Sequence, residues 1–100
     1  MNPNRELHYV LKLFITGRSS RSENAIRMLQ NICSHDLGGQ FELEIVDVLE
    51  HPEEAEQRRI LATPTVVKEL PPPIRKVIGD LSDKDKVLVG LDLRRIDGEQ

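Results

Sequence analysis

The sequence predicts one α/β domain with the element order βαβαββα. Three observations lead there. Apolar residues alternate with polar ones near the start and again from Phe41, the period of a strand. Between those runs Ile26, Leu29, Cys33 and Leu37 recur at helical spacing. Further on, Thr63-Pro64-Thr65 leads into the β-branched run Thr65-Val66-Val67, the composition of another strand.

His8–Thr16 carries the first strand. Tyr9, Leu11, Leu13 and Ile15 share one face, and Val10, Lys12, Phe14 and Thr16 the other. Phe14 and Val10 on the second face predict burial on both sides, as in a central strand. Gly17 ends it. Ser20 and Glu23 have capping-box spacing, so a helix is expected from there to about Asp36. Ala25, Met28 and Ile32 widen its apolar stripe, and Gly38-Gly39 stops it. Phe41, Leu43 and Ile45 alternate with Glu42 and Glu44, then Val46 and Val48 follow; a strand–helix–strand unit of this length favours a parallel crossover. Pro52 suits the first turn of a short helix ending near Leu61. Glu53, Glu54 and Glu56 sit early in it and Arg58 and Arg59 late, matching the helix dipole, with Glu54 spaced to pair with Arg58.

From Thr63 onward two assignments obey local rules. In one, Thr65–Leu70 and Arg75–Asp80 are antiparallel strands joined by Pro71-Pro72-Pro73. Ser82 then caps a helix, with Asp83 and Asp85 in its first turn and Val87, Leu88 and Leu91 on one face. In the other, Thr63 caps a helix beginning at Pro64, Pro73 begins another closed by Gly79, and Val87, Val89, Leu91 and Leu93 form a strand face. Two nearly self-consistent packings of one segment are what a fold-switching chain requires, but short segments commonly suit two assignments, and pattern alone favours that plainer account.

The totals bound the function. The chain has 100 residues and a net charge of −3, so it makes one domain with no general pull toward nucleic acid. Its aromatic residues are Tyr9, Phe14 and Phe41, too few for base stacking. No apolar run is long enough to span a bilayer, nothing resembles a signal peptide, and the single cysteine, Cys33, fits a reducing cytosol. A cytoplasmic protein with short tails at 1–7 and 95–100 around a domain at 8–94 is expected.

Candidate chemistry is thin. His8, His35 and His51 lack ligand spacing, so no metal is expected. Cys33 sits on an apolar stripe without a partner and reads as packing. Glu53, Glu54 and Glu56 read as an ordinary acidic first turn, and Asp80, Asp83 and Asp85 as turn and cap residues. Ser19, Ser20 and Ser22 have no nearby His–Asp set. Gly17-Arg18 reads as a plain turn. Arg75-Lys76 with Arg58-Arg59 suits an acidic protein surface better than DNA. No catalytic residue and no cofactor is assigned.

The order of elements, with Thr63-Pro64-Thr65 before the third strand, resembles a thioredoxin-like domain. A redox member would carry Cys-x-x-Cys where Gly17-Arg18-Ser19-Ser20-Arg21-Ser22 stands, so a binding protein is expected before an enzyme. The chain is more specifically similar to the KaiB family of circadian clock proteins. The residues that carry this are Tyr9–Gly17, Val46-Asp47-Val48-Leu49 with Pro52, Ile60-Leu61-Ala62-Thr63-Pro64-Thr65, Leu70-Pro71-Pro72-Pro73-Ile74-Arg75, Ile78-Gly79-Asp80-Leu81-Ser82 and Lys86–Leu93.

The resemblance implies a non-catalytic regulator with two folds. One is a tetramer-forming ground state that differs after about residue 50. The other is thioredoxin-like and monomeric, and binds the N-terminal ATPase ring of KaiC. KaiA and a sensor histidine kinase are the further partners implied, with neither nucleic acid nor membrane among them. For partner binding it implies Pro52, Glu53, Glu56, Gln57 and Arg59, with Glu42 and Glu44 on the second strand. For the switch it implies Tyr9, Pro64, Pro71, Pro72, Pro73, Gly90 and Asp92; replacing Gly90 or Asp92 favours the thioredoxin-like form. Clock members carry a small residue and a lysine where Glu42 and Glu44 stand, and a tyrosine where Arg95 stands. These departures and the Ser82 cap select the thioredoxin-like form here.

Overall fold

In a computed structural model, which describes residues 8–37, 41–79 and 81–93, the chain forms a four-stranded sheet with three helices. The elements are β1 (Tyr9–Ile15), α1 (Ser20–Asn31), β2 (Phe41–Asp47), α2 (Pro52–Gln57), β3 (Thr65–Leu70), β4 (Arg75–Ile78) and α3 (Lys84–Gly90). A π-helical turn, Ile32–Asp36, extends α1. The strand order is β2-β1-β3-β4. β1 runs parallel to β2 and antiparallel to β3, and β3 is antiparallel to β4. This is the thioredoxin-like reading of the last third: 65–70 and 75–78 are strands and 84–90 is helix, not strand.

β1 is central, as its two apolar faces require. Tyr9, Leu11, Leu13 and Ile15 join Ala25, Ile26, Leu29, Ile32, Cys33 and Leu37 from α1 and its extension, and Val87, Leu88 and Leu91 from α3, in the main core. Phe14 faces the other way and meets Val46 and Val67, with Val48 and Ile60 against them. Fully burying an aliphatic or aromatic side chain contributes roughly 1.5–3 kcal/mol, so the first face holds most of the stability.

Local chemistry moved several boundaries. The N-cap of α1 is Ser19, not Ser20: its Oγ accepts from Ser22 N at 3.1 Å. Glu23 does not reach back to close a capping box and instead pairs with Arg18 at 3.2 Å. Likewise Asp83, not Ser82, caps α3, accepting from Lys86 N at 3.2 Å. In both places two adjacent residues offer an oxygen, and the backbone one residue away is the extended one. α2 ends at Gln57, four residues short of Leu61, because Arg59 turns to φ 55°. The glycine stop at Gly38-Gly39, Asp80 and both expected tails lie outside the described residues.

α3 ends in a Schellman motif. Asp92 N donates to Val89 O at 3.1 Å and Leu93 N to Leu88 O at 2.8 Å, with Leu88 and Leu93 both in the core. Asp92 sits at the left-handed position, φ 57°, where glycine is favoured. Asp92→Gly should therefore stabilise this form by about 1 kcal/mol, and a strand there would lose by the same change. A thermal midpoint raised by several degrees is expected; an unchanged or lower midpoint contradicts this reading of the turn.

Candidate functional site

The residues expected to touch a partner fall on one side of the sheet. In register, Val10 pairs with Glu42, Lys12 with Glu44 and Phe14 with Val46. Paired residues of adjacent strands share a face, so Glu42 and Glu44 lie on the Phe14 side. α2 covers part of that side. Its residues Pro52, Glu53, Glu56 and Gln57 are exposed, and Pro52 occupies its first turn.

α2 buries none of its own residues. Charge ties it to the sheet, beside the apolar contacts of Val48 and Ile60 on its flanks. Lys12 Nζ, rising from the central strand, donates to Glu54 Oε1 at 3.3 Å and lies 3.5 Å from Glu44 Oε1. Arg58 pairs with Glu69 of β3, and Lys76 Nζ of β4 donates to Arg58 O at 3.2 Å. The expected Glu54–Arg58 pair within the helix does not form, because each side chain finds a part-buried partner on the sheet. Burial opposes the charge on Lys12, yet the hydrogen bond to Glu54 and the carboxylates of Glu44, Glu54 and Glu69 raise its pKa above the usual lysine value. Its stabilising charge is thus fully present below the ordinary lysine pKa and is lost only as pH rises through the higher folded value.

Lys12→Met keeps the aliphatic stem and removes the cation. About 1 kcal/mol of stability should go, because Glu44 and Glu54 then face each other without it. Amide exchange in 53–58 should quicken while the core helix 25–31 stays protected; unchanged exchange in α2 would refute the tether.

Arg59 stands apart. It is exposed and occupies the left-handed region one residue past the end of α2. Arg59 N donates to Glu56 O at 3.1 Å and Ile60 N to Ala55 O at 2.8 Å, another Schellman motif with a non-glycine at its glycine position. Two leucines flank the helix: Leu49 is 69% exposed and Leu61 93% exposed. Neither was singled out from the sequence, since nothing in the spacing separates them from core leucines. Leu49 is held in place by Asp47, whose Oδ1 accepts from Gly17 N at 3.1 Å and Leu49 N at 3.0 Å. That carboxylate joins the β1–α1 turn to the β2–α2 loop. Gly17 has φ 65° and packs near Leu49.

The residues assigned to the switch do not gather at α2. Tyr9 is buried in the main core with Leu91 and Leu93. Gly90 and Asp92 end α3, and a Cβ on Gly90 would come 2.6 Å from Val77 Cγ2. Pro64 is buried, follows a cis bond, and its carbonyl accepts from Gly79 N at 2.9 Å. Pro71, Pro72 and Pro73 form the β3–β4 connection, with cis bonds preceding Pro71 and Pro73.

Reactive chemistry is sparse. Cys33 is fully buried, and burial pushes its thiol up to about 12, so it stays protonated and a poor nucleophile. Among the described residues no group of three or more His, Cys, Asp or Glu could hold a metal ion. No described helix is long and apolar enough to cross a membrane.

A family model described as the KaiB domain matches residues 12–93. Circadian clock protein KaiB3 of Synechocystis is 54% identical over 84 residues, covering 84% of this chain and 82% of that protein. The circadian clock oscillator protein KaiB of Picosynechococcus is 54% identical over 85 residues, covering 85% and 82%. The N-terminal domain of Synechococcus elongatus SasA superposes with a TM-score of 0.69 at 24% identity, covering 93% of this chain and 90% of that one. Mitochondrial thioredoxin 3 of Saccharomyces cerevisiae gives 0.68 at 17% identity, covering 89% and 83%. These two structures establish a shared fold and nothing more.

Proposed function

The chain belongs to the KaiB family of circadian clock proteins, and from that membership we propose that it is a non-catalytic regulator docking on the N-terminal ATPase ring of a KaiC-like protein. Docking uses the thioredoxin-like form and modulates the ring's phosphorylation cycle. The surface is the α2 side: Pro52, Glu53, Glu56, Gln57 and Arg59, with Glu42 and Glu44 beside them on β2, and Leu49 and Leu61 as apolar anchors. The protein is a cytoplasmic monomer in this form and a homotetramer in the alternative fold.

The observation that carries the proposal is Arg59. A side chain kept at a position that favours glycine, exposed and just past a helix that two exposed leucines flank, is a costly choice unless something uses it. The centre of an interface is commonly an arginine with apolar neighbours.

The test is co-elution of this protein with the N-terminal domain of a KaiC-like ATPase, with ATP and long incubation. A complex is expected, and Arg59→Glu should weaken it. No co-elution at any incubation time would overturn the reading. Glu44 favours one second reading. It places an exposed carboxylate where clock members present a lysine to partners such as KaiA, which suits an adaptor for a sensor histidine kinase or stress pathway. A pull-down from the native cell that recovers such a kinase and no KaiC-like ATPase would select it.

A further inference from the structure

On the side of the sheet away from α2, α1 and the segment 81–84 leave a groove between them. Its volume is about 440 Å³, and Asn24, Arg27, Met28, Asn31, Ser82 and Lys84 line it. A hollow of about 70 Å³ continues it past Asn24 and Ser82 toward Arg21 and Pro64. The main groove is of the size that holds small molecules, roughly 300–1,000 Å³.

Its lining is unlike the rest of this acidic chain. Among the described lining residues the charged ones are Arg21, Arg27 and Lys84, and none is a carboxylate. Both main-groove cations are held in place with hydrogens to spare. Arg27 donates to Asn24 Oδ1 at 2.9 Å, which orients a guanidinium that keeps its other donors. Lys84 lies 3.4 Å from Asp36 Oδ2, which anchors the ammonium at the groove wall. Asn24, Met28 and Asn31 lie at i, i+4 and i+7, so one strip of α1 turns two amides and a thioether toward the gap. Asparagine is a poor helix former, and a helix surface that needs only solubility carries Glu or Lys.

We propose that this groove binds a small organic anion of nucleotide size. Its anionic head meets Arg27 and Lys84, its body lies over Met28, and the amides of Asn24 and Asn31 bond its polar edge. The site is separate from the α2 side and does not depend on the ring-docking proposal.

The experiment is a titration of the full isotope-labelled chain with adenosine monophosphate, followed by backbone amide NMR. Saturable shifts are expected at 24–31 and 82–84 and not at 52–59. Arg27→Gln and Lys84→Gln, both at the groove surface, should each weaken binding about tenfold while the spectrum stays folded. Inorganic phosphate should bind more weakly at the same amides, and uncharged adenosine more weakly still. Absent or scattered shifts, or an affinity unchanged by both variants, overturn the proposal. So does phosphate or adenosine binding as tightly as the nucleotide, because either head or body would then be idle.

Discussion

Phe14→Ala is expected to remove about 3–5 kcal/mol of stability, a large share of the roughly 5–15 kcal/mol that holds a small domain folded. Phe14 is fully buried on the thin side of the sheet, where, among the described residues, its buried apolar cluster is completed by Val46 and Val67. α2 buries no residue of its own, so Val48 and Ile60, which pack on this small cluster, are the apolar attachments of its two flanks. Losing Phe14 therefore strips the platform beneath α2 as well as the general core. Urea unfolding checks the size of the loss, and Phe14→Leu, which keeps more of the volume, should cost less than half as much. A loss under 1 kcal/mol for Phe14→Ala would mean that this side is not a packed core.

Arg59 should separate stability from binding. Arg59→Gly relieves a left-handed non-glycine residue and should stabilise the free protein by about 1 kcal/mol. The same change removes the exposed guanidinium and should weaken capture by a KaiC-like ring at least tenfold, about 1.4 kcal/mol. Most core-damaging mutations lower both quantities together, so opposite signs are diagnostic. Arg59→Glu adds charge reversal to the same strained backbone and should be worse in both. A ring affinity unchanged in Arg59→Gly would remove this residue from the interface and leave its conformation without a functional reason.

Much of the fold was legible because its segments are strongly periodic. β1 announces burial on both faces through Phe14, and α1 with its π-helical extension shows its stripe from Ala25 to Cys33. Caps were misplaced by one residue at Ser20 and Ser82, since Ser19 and Asp83 offer the same chemistry next door. The length of α2 was misread because a left-handed arginine is invisible in composition. The Glu54–Arg58 pair was a helix-local inference that lost to Lys12 and Glu69, which only the sheet brings near. Lys68 is buried beside Leu11 in the register, although no lysine in a sequence signals burial.

The site was legible in part. α2, Glu42 and Glu44 share one side, but that follows from the strand register rather than from their spacing. Leu49 and Leu61 escaped notice because exposure of an apolar side chain is a property of the finished fold. In the last third local pattern left two packings open, and the departures at Glu42, Glu44 and Arg95 with the Ser82 cap tipped the expectation to the thioredoxin-like form. Each of its short segments suits two packings, and only long-range contacts choose, among them the pairing of Thr65 with both Phe14 and Ile78.

The most direct measurement is hydrogen–deuterium exchange of this protein alone and mixed with the N-terminal domain of a KaiC-like ATPase and ATP. Free protein should protect 84–90 as helix, and the complex should add protection centred on 49–61 and on β2. Addition of the ring with no new protection there, or protection confined to the α1–α3 side, would contradict a docking surface built on α2.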